Sequence, residues 1–313
     1  MSPLENSGSR FMPFAGTDIA SNVDALYGFL MVASFISCVL VIGGMIVFAV
    51  KYRRQSDNDK TPYISHNTTA EFLWSFIPFV IFMIAFVWGW KVFHDLRSMP
   101  TDALEITANA KKWSWEFVYK NGRRSPKEFY VPVNQPVKMV MTSADVIHSF
   151  YVPAFRNKQD VVPGRYSAFW FNPHTEGTYN IFCTEYCGDQ HSGMLAKVHV
   201  VSREKYDEWL GTEPYKGMTP AQVGQKIYQG VCVACHSLDG TKMTGPTFKG
   251  IWGRQEKIAG GGEVTVDENY VRESIVNPAA KIVEGYPAGV MPAFPQLTDE
   301  ELMGVIEFLK TVK

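Results

Sequence analysis

Cys183-Thr184-Glu185-Tyr186-Cys187-Gly188-Asp189-Gln190-His191-Ser192-Gly193-Met194 is the stretch on which the reading of this chain turns. Two thiols, an imidazole and a thioether fall within these twelve residues. Soft sulfur together with imidazole selects copper over hard cations, and a methionine as weak ligand beside His and Cys is the donor set of electron-transfer copper. Zinc is the chemical rival, but a structural zinc takes four Cys/His ligands and leaves Met194 without a purpose. A Cys183–Cys187 disulfide is the plain covalent alternative. One more donor is needed, and His148 in Asp145-Val146-Ile147-His148-Ser149-Phe150 begins a strand region that a folded-over sheet can bring to the loop.

Outward from the loop, short runs with strand character recur: Leu104–Thr107, Trp113–Tyr119, Val137–Thr142, Ser167–Phe171, Thr178–Phe182 and Lys197–Val201. Turn residues separate them at Asn121-Gly122, Pro132, Pro136, Pro163-Gly164 and Glu176-Gly177, with no competing helical period. This pattern predicts an all-β Greek-key sandwich over residues 96–201.

Upstream, 26 residues from Ala25 to Val50 and 19 from Phe72 to Trp90 carry no charge. As helices they reach about 39 and about 28 Å, enough to cross a bilayer, so a two-helix transmembrane hairpin is expected over 25–95, with spans of about 25–50 and 72–92. Buried core helices are the alternative, disfavoured because neither run has a polar face. The connecting loop holds Lys51, Arg53, Arg54 and Lys60 against Arg10 alone in the tail of residues 1–24. The positive-inside rule therefore places the loop in the cytoplasm and both termini outside. That tail lacks the basic start of a cleavable signal peptide. Cys38 lies mid-span and reads as a packed thiol. Glu71 stands at the start of the second span, where the helix dipole favours a carboxylate.

Downstream, Ser202–Trp209 reads as a short helix and the stretch to Lys216 as a linker, so that residues 202–216 lead into a last domain at 217–313. Thr219-Pro220 opens a helix as N-cap and first residue, ending near Gly230, just before Cys232-Val233-Ala234-Cys235-His236. Cys-x-x-Cys-His is the attachment signature of c-type haem, with two thioether tethers and His236 as proximal ligand. A thioredoxin-like dithiol would want a βαβ setting that is missing from the pattern. Of the downstream methionines, Met243 lies too near the attachment site and Met303 lies inside a final amphipathic helix capped by Thr298 and Glu301. Met291, on a loop, is the expected sixth ligand, because Met/His ligation suits an electron carrier.

Composition bounds the function. With 30 Lys+Arg against 31 Asp+Glu the net charge is −1, which removes nucleic acid as a partner. A mean hydropathy of −0.08 fits a chain that is part membrane and part soluble. Five cysteines, four of them in two tight pairs, are too few for a disulfide scaffold.

Residues 22–201 resemble cytochrome c oxidase subunit II, on Glu71-x-x-Trp74 running into Ile77-Pro78, Trp113-x-Trp115, Asp145–Ser149, Val162-Pro163-Gly164-Arg165 and the Cys183–Met194 loop. The resemblance implies a cupredoxin domain holding the dinuclear copper centre CuA. Cys183 and Cys187 would be the bridging thiolates, His148 and Met194 would complete one copper, and His191 with the backbone carbonyl of Glu185 the other. It further implies a magnesium ion on the Glu185 carboxylate at the border with subunit I, electron entry at Trp115, and a proton-channel mouth at Glu71. Trp113 and Trp115 also read as two faces of one strand, one in the core. Residues 217–313 resemble an all-α class I cytochrome c, including Gly245-Pro246 and Gly250-Ile251-Trp252-Gly253-Arg254.

The whole chain thus resembles subunit II of a haem-copper oxidase with a fused cytochrome c domain, the caa-type arrangement. That likeness implies an electron path from a soluble or membrane cytochrome c, or an upstream respiratory complex, to haem c on Cys232 and Cys235, then CuA, then haem in subunit I, where oxygen is reduced with proton translocation. Subunits I and III would be partners in a bacterial inner membrane, with both metal domains periplasmic. A tethered donor acts at about millimolar effective concentration. A CuA-containing nitric oxide reductase subunit and a stand-alone membrane-anchored carrier are the alternatives. His174 and His199 read as surface or strand histidines without a metal role.

Overall fold

The computed structural model describes residues 12–56, 60 and 63–313, so residues 1–11 of the expected outer tail lie outside the described part. Helix α1 spans Asp18–Lys51 and α2 spans Thr68–Arg97. The side-chain oxygen of Thr17 accepts from the Ala20 N–H at 3.0 Å, and Asp18 sits in the first turn where the helix dipole favours it. The helix therefore starts before the uncharged run and takes residues 18–24 out of the expected tail. Asp24 does not end it, because Arg156 of the sandwich reaches that carboxylate with Nε at 2.8 Å and Nη2 at 2.7 Å. In α2, Asn67 is the N-cap, accepting from the Ala70 N–H at 3.0 Å, and Pro78 lies inside the helix. The hairpin closes on contacts such as Phe29 against Trp88, ring centroids 5.7 Å apart, while most of its apolar side chains face outward.

Ten strands follow, β1 Leu104–Lys111, β2 Ser114–Tyr119, β3 Arg124–Pro126, β4 Glu128–Pro132, β5 Val137–Ser143, β6 His148–Val152, β7 Asn157–Val161, β8 Ser167–Phe171, β9 Gly177–Cys183 and β10 Leu195–Val201. They form two five-stranded sheets, ordered β3-β2-β1-β5-β8 and β4-β10-β9-β6-β7. The pairs β1–β5 and β4–β10 are parallel and the rest antiparallel. Period-two alternation sends Ile106, Ala108 and Ala110, then Trp115, Phe117 and Tyr119, then Val137, Met139 and Met141 into one core between the sheets. The strands that the sequence pattern does not reveal are β3, β4 and β7, while β6 begins at His148 as expected. The β3–β4 region carries Pro126 and Pro132, and β7 reads Asn-Lys-Gln-Asp-Val, a polar edge strand whose charges blunt the sheet rim.

Helix α3, Arg203–Gly211, lies against β4, with Tyr130 stacked on Trp209 at 4.5 Å and the Arg123 guanidinium 3.9 Å over the same indole. Beyond the linker come α4 Pro220–Gly230, a hairpin of β11 Gln255–Lys257 with β12 Glu263–Thr265, α5 Glu268–Val276 and α6 Asp299–Thr311. Thr219 with Gln222 and Thr298 with Glu301 form reciprocal capping boxes at the starts of α4 and α6. The two helices cross where Gly224 meets Gly304, so closely that a Cβ on Gly224 would collide with the Gly304 carbonyl. Val223, Ile227, Val305, Ile306, Phe308 and Leu309 make the small core around that crossing. The hairpin and α5 are too short and polar for a sequence period to reveal.

Candidate functional site

The sandwich gathers the sulfur loop by register. Strand β6 pairs with β9 so that Phe150 faces Cys183, which brings His148, at the start of β6, beside the thiol at the end of β9. His148 Nδ1 lies 3.9 Å from Cys183 Sγ, and the two thiols are 3.8 Å apart. His191 Nδ1 stands 3.5 Å from Cys187 Sγ, and Met194 Sδ 3.9 Å from the same sulfur. The Glu185 carbonyl accepts from Cys183 Sγ at 3.3 Å, while its carboxylate belongs to an exposed residue. One donor atom each from His148, Cys183 and Cys187 lies within 4.8 Å of the others. His148 and Met194 are sealed at 0% exposure. Every sulfur, imidazole and carbonyl donor expected at this site is thus brought to one place.

Behind His148 stands Asp145, to which the sequence motif by itself assigns no role. Its Oδ1 accepts from His148 Nε2 at 2.9 Å, fixing the tautomer that leaves Nδ1 toward the thiols. Its Oδ2 accepts from the Lys112 N–H at 2.7 Å. Burial opposes the charge on Asp145, but the hydrogen bonds from His148, Lys112 and Val146 outweigh it and hold the carboxyl below its usual range. Burial likewise opposes ionisation of Cys183, yet the contact with His148 prevails and draws that thiol down to about 6. Cys187 moves the other way, raised by burial and by the charge of Cys183 beside it. One thiolate forms readily and the second needs a cation to stabilise it, as a soft metal would.

Trp115, expected at the electron entry, is a core side chain. Its ring is 0% exposed, edge-on to Phe150 at 5.1 Å and to His148 at 6.1 Å, because it takes the inward face of β2. Trp113 is only 3% exposed, so burial does not separate the two rings. Trp113, in the turn before β2, donates its indole N–H to the Cys187 carbonyl at 3.1 Å. The spacing Trp-x-Trp does not tell the two apart, since strand alternation begins only at Ser114.

Glu71 lies in the first turn of α2, where its carboxylate accepts from the Asn67 N–H at 3.1 Å, a capping contact. His199 lies on β10 between Thr178 Oγ1 at 2.9 Å and Glu128 Oε2 at 3.2 Å, away from the sulfur loop.

In the C-terminal domain Cys232, Cys235 and His236 open onto an apolar cleft also lined by Tyr270, Met291 and Phe294. His236 Nδ1 donates to the Pro246 carbonyl at 2.7 Å and the ring stacks on Phe248 at 4.3 Å, leaving Nε2 for a ligand. A Cβ on Gly245 would meet that ring at 2.6 Å, so only glycine lets the main chain pass behind the imidazole. Burial holds His236 toward its neutral, metal-binding form and raises Cys232 to about 12 and Cys235 to about 11. A fixed neutral imidazole, paired thiols and an apolar cleft with a methionine in its wall fit a covalent c-type haem.

A family model for the transmembrane domain of cytochrome c oxidase subunit II matches residues 5–92, one for its periplasmic domain matches residues 124–201, and one for cytochrome c matches residues 221–313. Cytochrome c oxidase subunit 2 of Alkalihalophilus pseudofirmus is 32% identical over 305 residues, covering 90% of this chain and 86% of that protein. The protein of the same name from Synechocystis is 28% identical over 247 residues, covering 64% of this chain and 74% of its own. Among solved structures, the periplasmic domain of subunit II of cytochrome oxidase from Bradyrhizobium japonicum is 33% identical, with a TM-score of 0.35, over 36% of this chain and 94% of that one.

Proposed function

The chain belongs to the cytochrome c oxidase subunit II family and carries a cytochrome c domain at its C-terminus, and from that premise we propose that it is the electron-entry subunit of its oxidase. As such a subunit it is part of a membrane-anchored haem-copper oxidoreductase complex and a partner of subunit I. The family domains imply CuA in the sandwich and haem c in the C-terminal domain.

We assign CuA to Cys183 and Cys187 together with His148, Met194, His191 and the Glu185 carbonyl, which would hold it. Haem c would be held by Cys232 and Cys235 and by His236 and Met291. When bound, these groups supply one-electron chemistry between an external donor, a cytochrome c or an upstream respiratory complex, and the haem of subunit I, where oxygen is reduced to water with proton translocation. The observation that carries this reading is the convergence of His148, Cys183 and Cys187 within 4.8 Å, with Met194 Sδ 3.9 Å from Cys187. The chain's own part is positional: Asp145 aims His148, the Pro246 carbonyl aims His236, and burial keeps water from both sites. Electron entry is assigned to Trp115 with its neighbour Trp113, supported by the edge-on contact of Trp115 with His148, by the Trp113 indole hydrogen bond to the Cys187 carbonyl and by the adjacent Lys112, which lines the haem cleft. The Glu185 carboxylate is the magnesium ligand at the subunit I border, Glu71 marks a proton-channel mouth, and subunit III is a further partner. The loop basic residues put both metal domains on the periplasmic side of the bacterial inner membrane.

The test is to purify the chain with its companions and measure copper, iron, covalent haem and oxygen uptake. Two coppers per covalent haem in this chain, with oxygen uptake by the complex, is the expected result. Covalent haem without copper overturns the CuA assignment, and nitric oxide reduction without oxygen uptake reassigns the acceptor.

A further inference from the structure

The distal wall of the haem cleft is held from outside its own domain. Main-chain bonds fix the two ends of the loop that carries Met291, Tyr286 N–H to the Val283 carbonyl at 3.2 Å and Phe294 N–H to the Ile275 carbonyl at 3.0 Å. Between and just beyond those points, three residues rest on the copper domain. Val290 packs against the hydrophobic cluster of the sandwich. The Lys111 ammonium, at the end of β1, lies 3.6 Å from the centroid of the Phe294 ring, which is only 9% exposed. Arg124 of β3 donates to the Gln296 carbonyl at 2.6 Å, and its other terminal nitrogen is held by the Glu116 carboxylate. Lys112, next to Lys111, lines the cleft itself.

We propose that Lys111 and Arg124 are positioning residues for the methionine that caps the haem, bracing residues 290–296 only while the cytochrome domain is docked on the copper domain. In the docked arrangement the loop is pinned and Met291 is presented to the cleft. When the domains part, Phe294 loses its cation, Gln296 loses its donor, and the loop has only its two end bonds to hold the methionine in place. Firm methionine ligation then coincides with the geometry in which Lys112 lines the cleft. A poorly hydrated ammonium against an aromatic face shifts such an equilibrium by about tenfold.

This inference rests on Met291 being the axial ligand, and the test separates the two. In the assembled oxidase, imidazole is titrated against ferric haem c, followed in the absorption of that haem, alongside hydrogen–deuterium exchange of peptides covering 286–297. Lys111→Gln combined with Arg124→Gln is expected to raise imidazole affinity about tenfold and to speed exchange in that loop, with the copper spectrum unchanged. Lys111→Arg, which keeps a cation, should stay near the unmodified protein. Phe294→Leu, which keeps the apolar contact and removes the ring, should behave as Lys111→Gln does, and provides a second reading should the double variant not assemble. Unchanged imidazole affinity and exchange in the double variant and in Phe294→Leu would overturn the brace. If Met291→Leu leaves the haem c spectrum and imidazole affinity untouched, the ligand assignment fails first. If Met291→Leu opens the iron and the brace variants do not, the brace alone fails.

Discussion

The copper loop and the haem cleft solve the same problem, fixing redox ligands, in opposite ways. In the sandwich, His148 and Cys183 stand 35 residues apart and meet because the β6–β9 ladder aligns them, so the donor set is gathered by hydrogen-bonded backbone. In the cytochrome domain Cys232, Cys235 and His236 fall within five residues, and Met291 comes from a loop that leans on its neighbour. The first set is a property of a sheet, and the second of a short segment and a loop. A sheet-built site should tolerate changes elsewhere and fail abruptly when a shared donor is lost, whereas the loop-built one should degrade by steps.

The strongest way to break that contrast is Cys187→Ser, which removes the sulfur placed near Cys183, His191 and Met194 together. Copper content should fall by more than about 100-fold with loss of the CuA spectrum, while covalent haem on Cys232 and Cys235 is retained; metal analysis and the haem spectrum read both. Next comes Gly224→Ala, which drives a methyl into the Gly304 carbonyl where α4 crosses α6. It should cost about 3 kcal/mol or more, lowering the melting point of the cytochrome domain and leaving the copper signal intact. Asp145→Asn sharpens the other side. With no charged acceptor behind His148 Nε2, copper affinity should drop about tenfold in a chelator competition, without loss of the fold. The smallest effect concerns the ladder. Glu105 on β1 sits opposite Lys138 on β5, 2.8 Å away, and the hydrogen bond from Lys138 lowers its carboxyl below the usual range. A lowered folded value gives stability that is present above the unfolded value of about 4.3 and lost as pH falls through the folded one. Both side chains are about a third exposed or more, so Glu105→Gln should remove only about 0.5 kcal/mol at neutral pH and nothing at strongly acidic pH in thermal melts.

The architecture is legible in the sequence through signals that are local or periodic. Two uncharged runs, alternating strands around turn residues, and capped helices at Thr219 and Thr298 all leave direct marks in the order of residues. The site donors are legible because thiol, imidazole and thioether chemistry is rare enough to stand out. The hidden part lies where tertiary contact overrides local pattern. Helix α1 runs through Asp24, where the uncharged run would have it begin, because Arg156, far along the chain, holds that carboxylate. Strand β7 is polar because it is a rim. Which of Trp113 and Trp115 belongs to the strand depends on where a turn ends, which two residues of spacing cannot carry. Asp145 stays hidden because only the turn before β6 folds its carboxylate back onto the His148 ring.

The Arg156–Asp24 pairing ties the sandwich to α1, and the Trp170 indole N–H, bonded to the Asp95 carbonyl at 3.1 Å, ties it to α2. With one joint on each helix, the sandwich is registered against both spans at once. Its sulfur loop therefore keeps one height and one bearing relative to the helix pair, as a benchmark does to the ground it is set in.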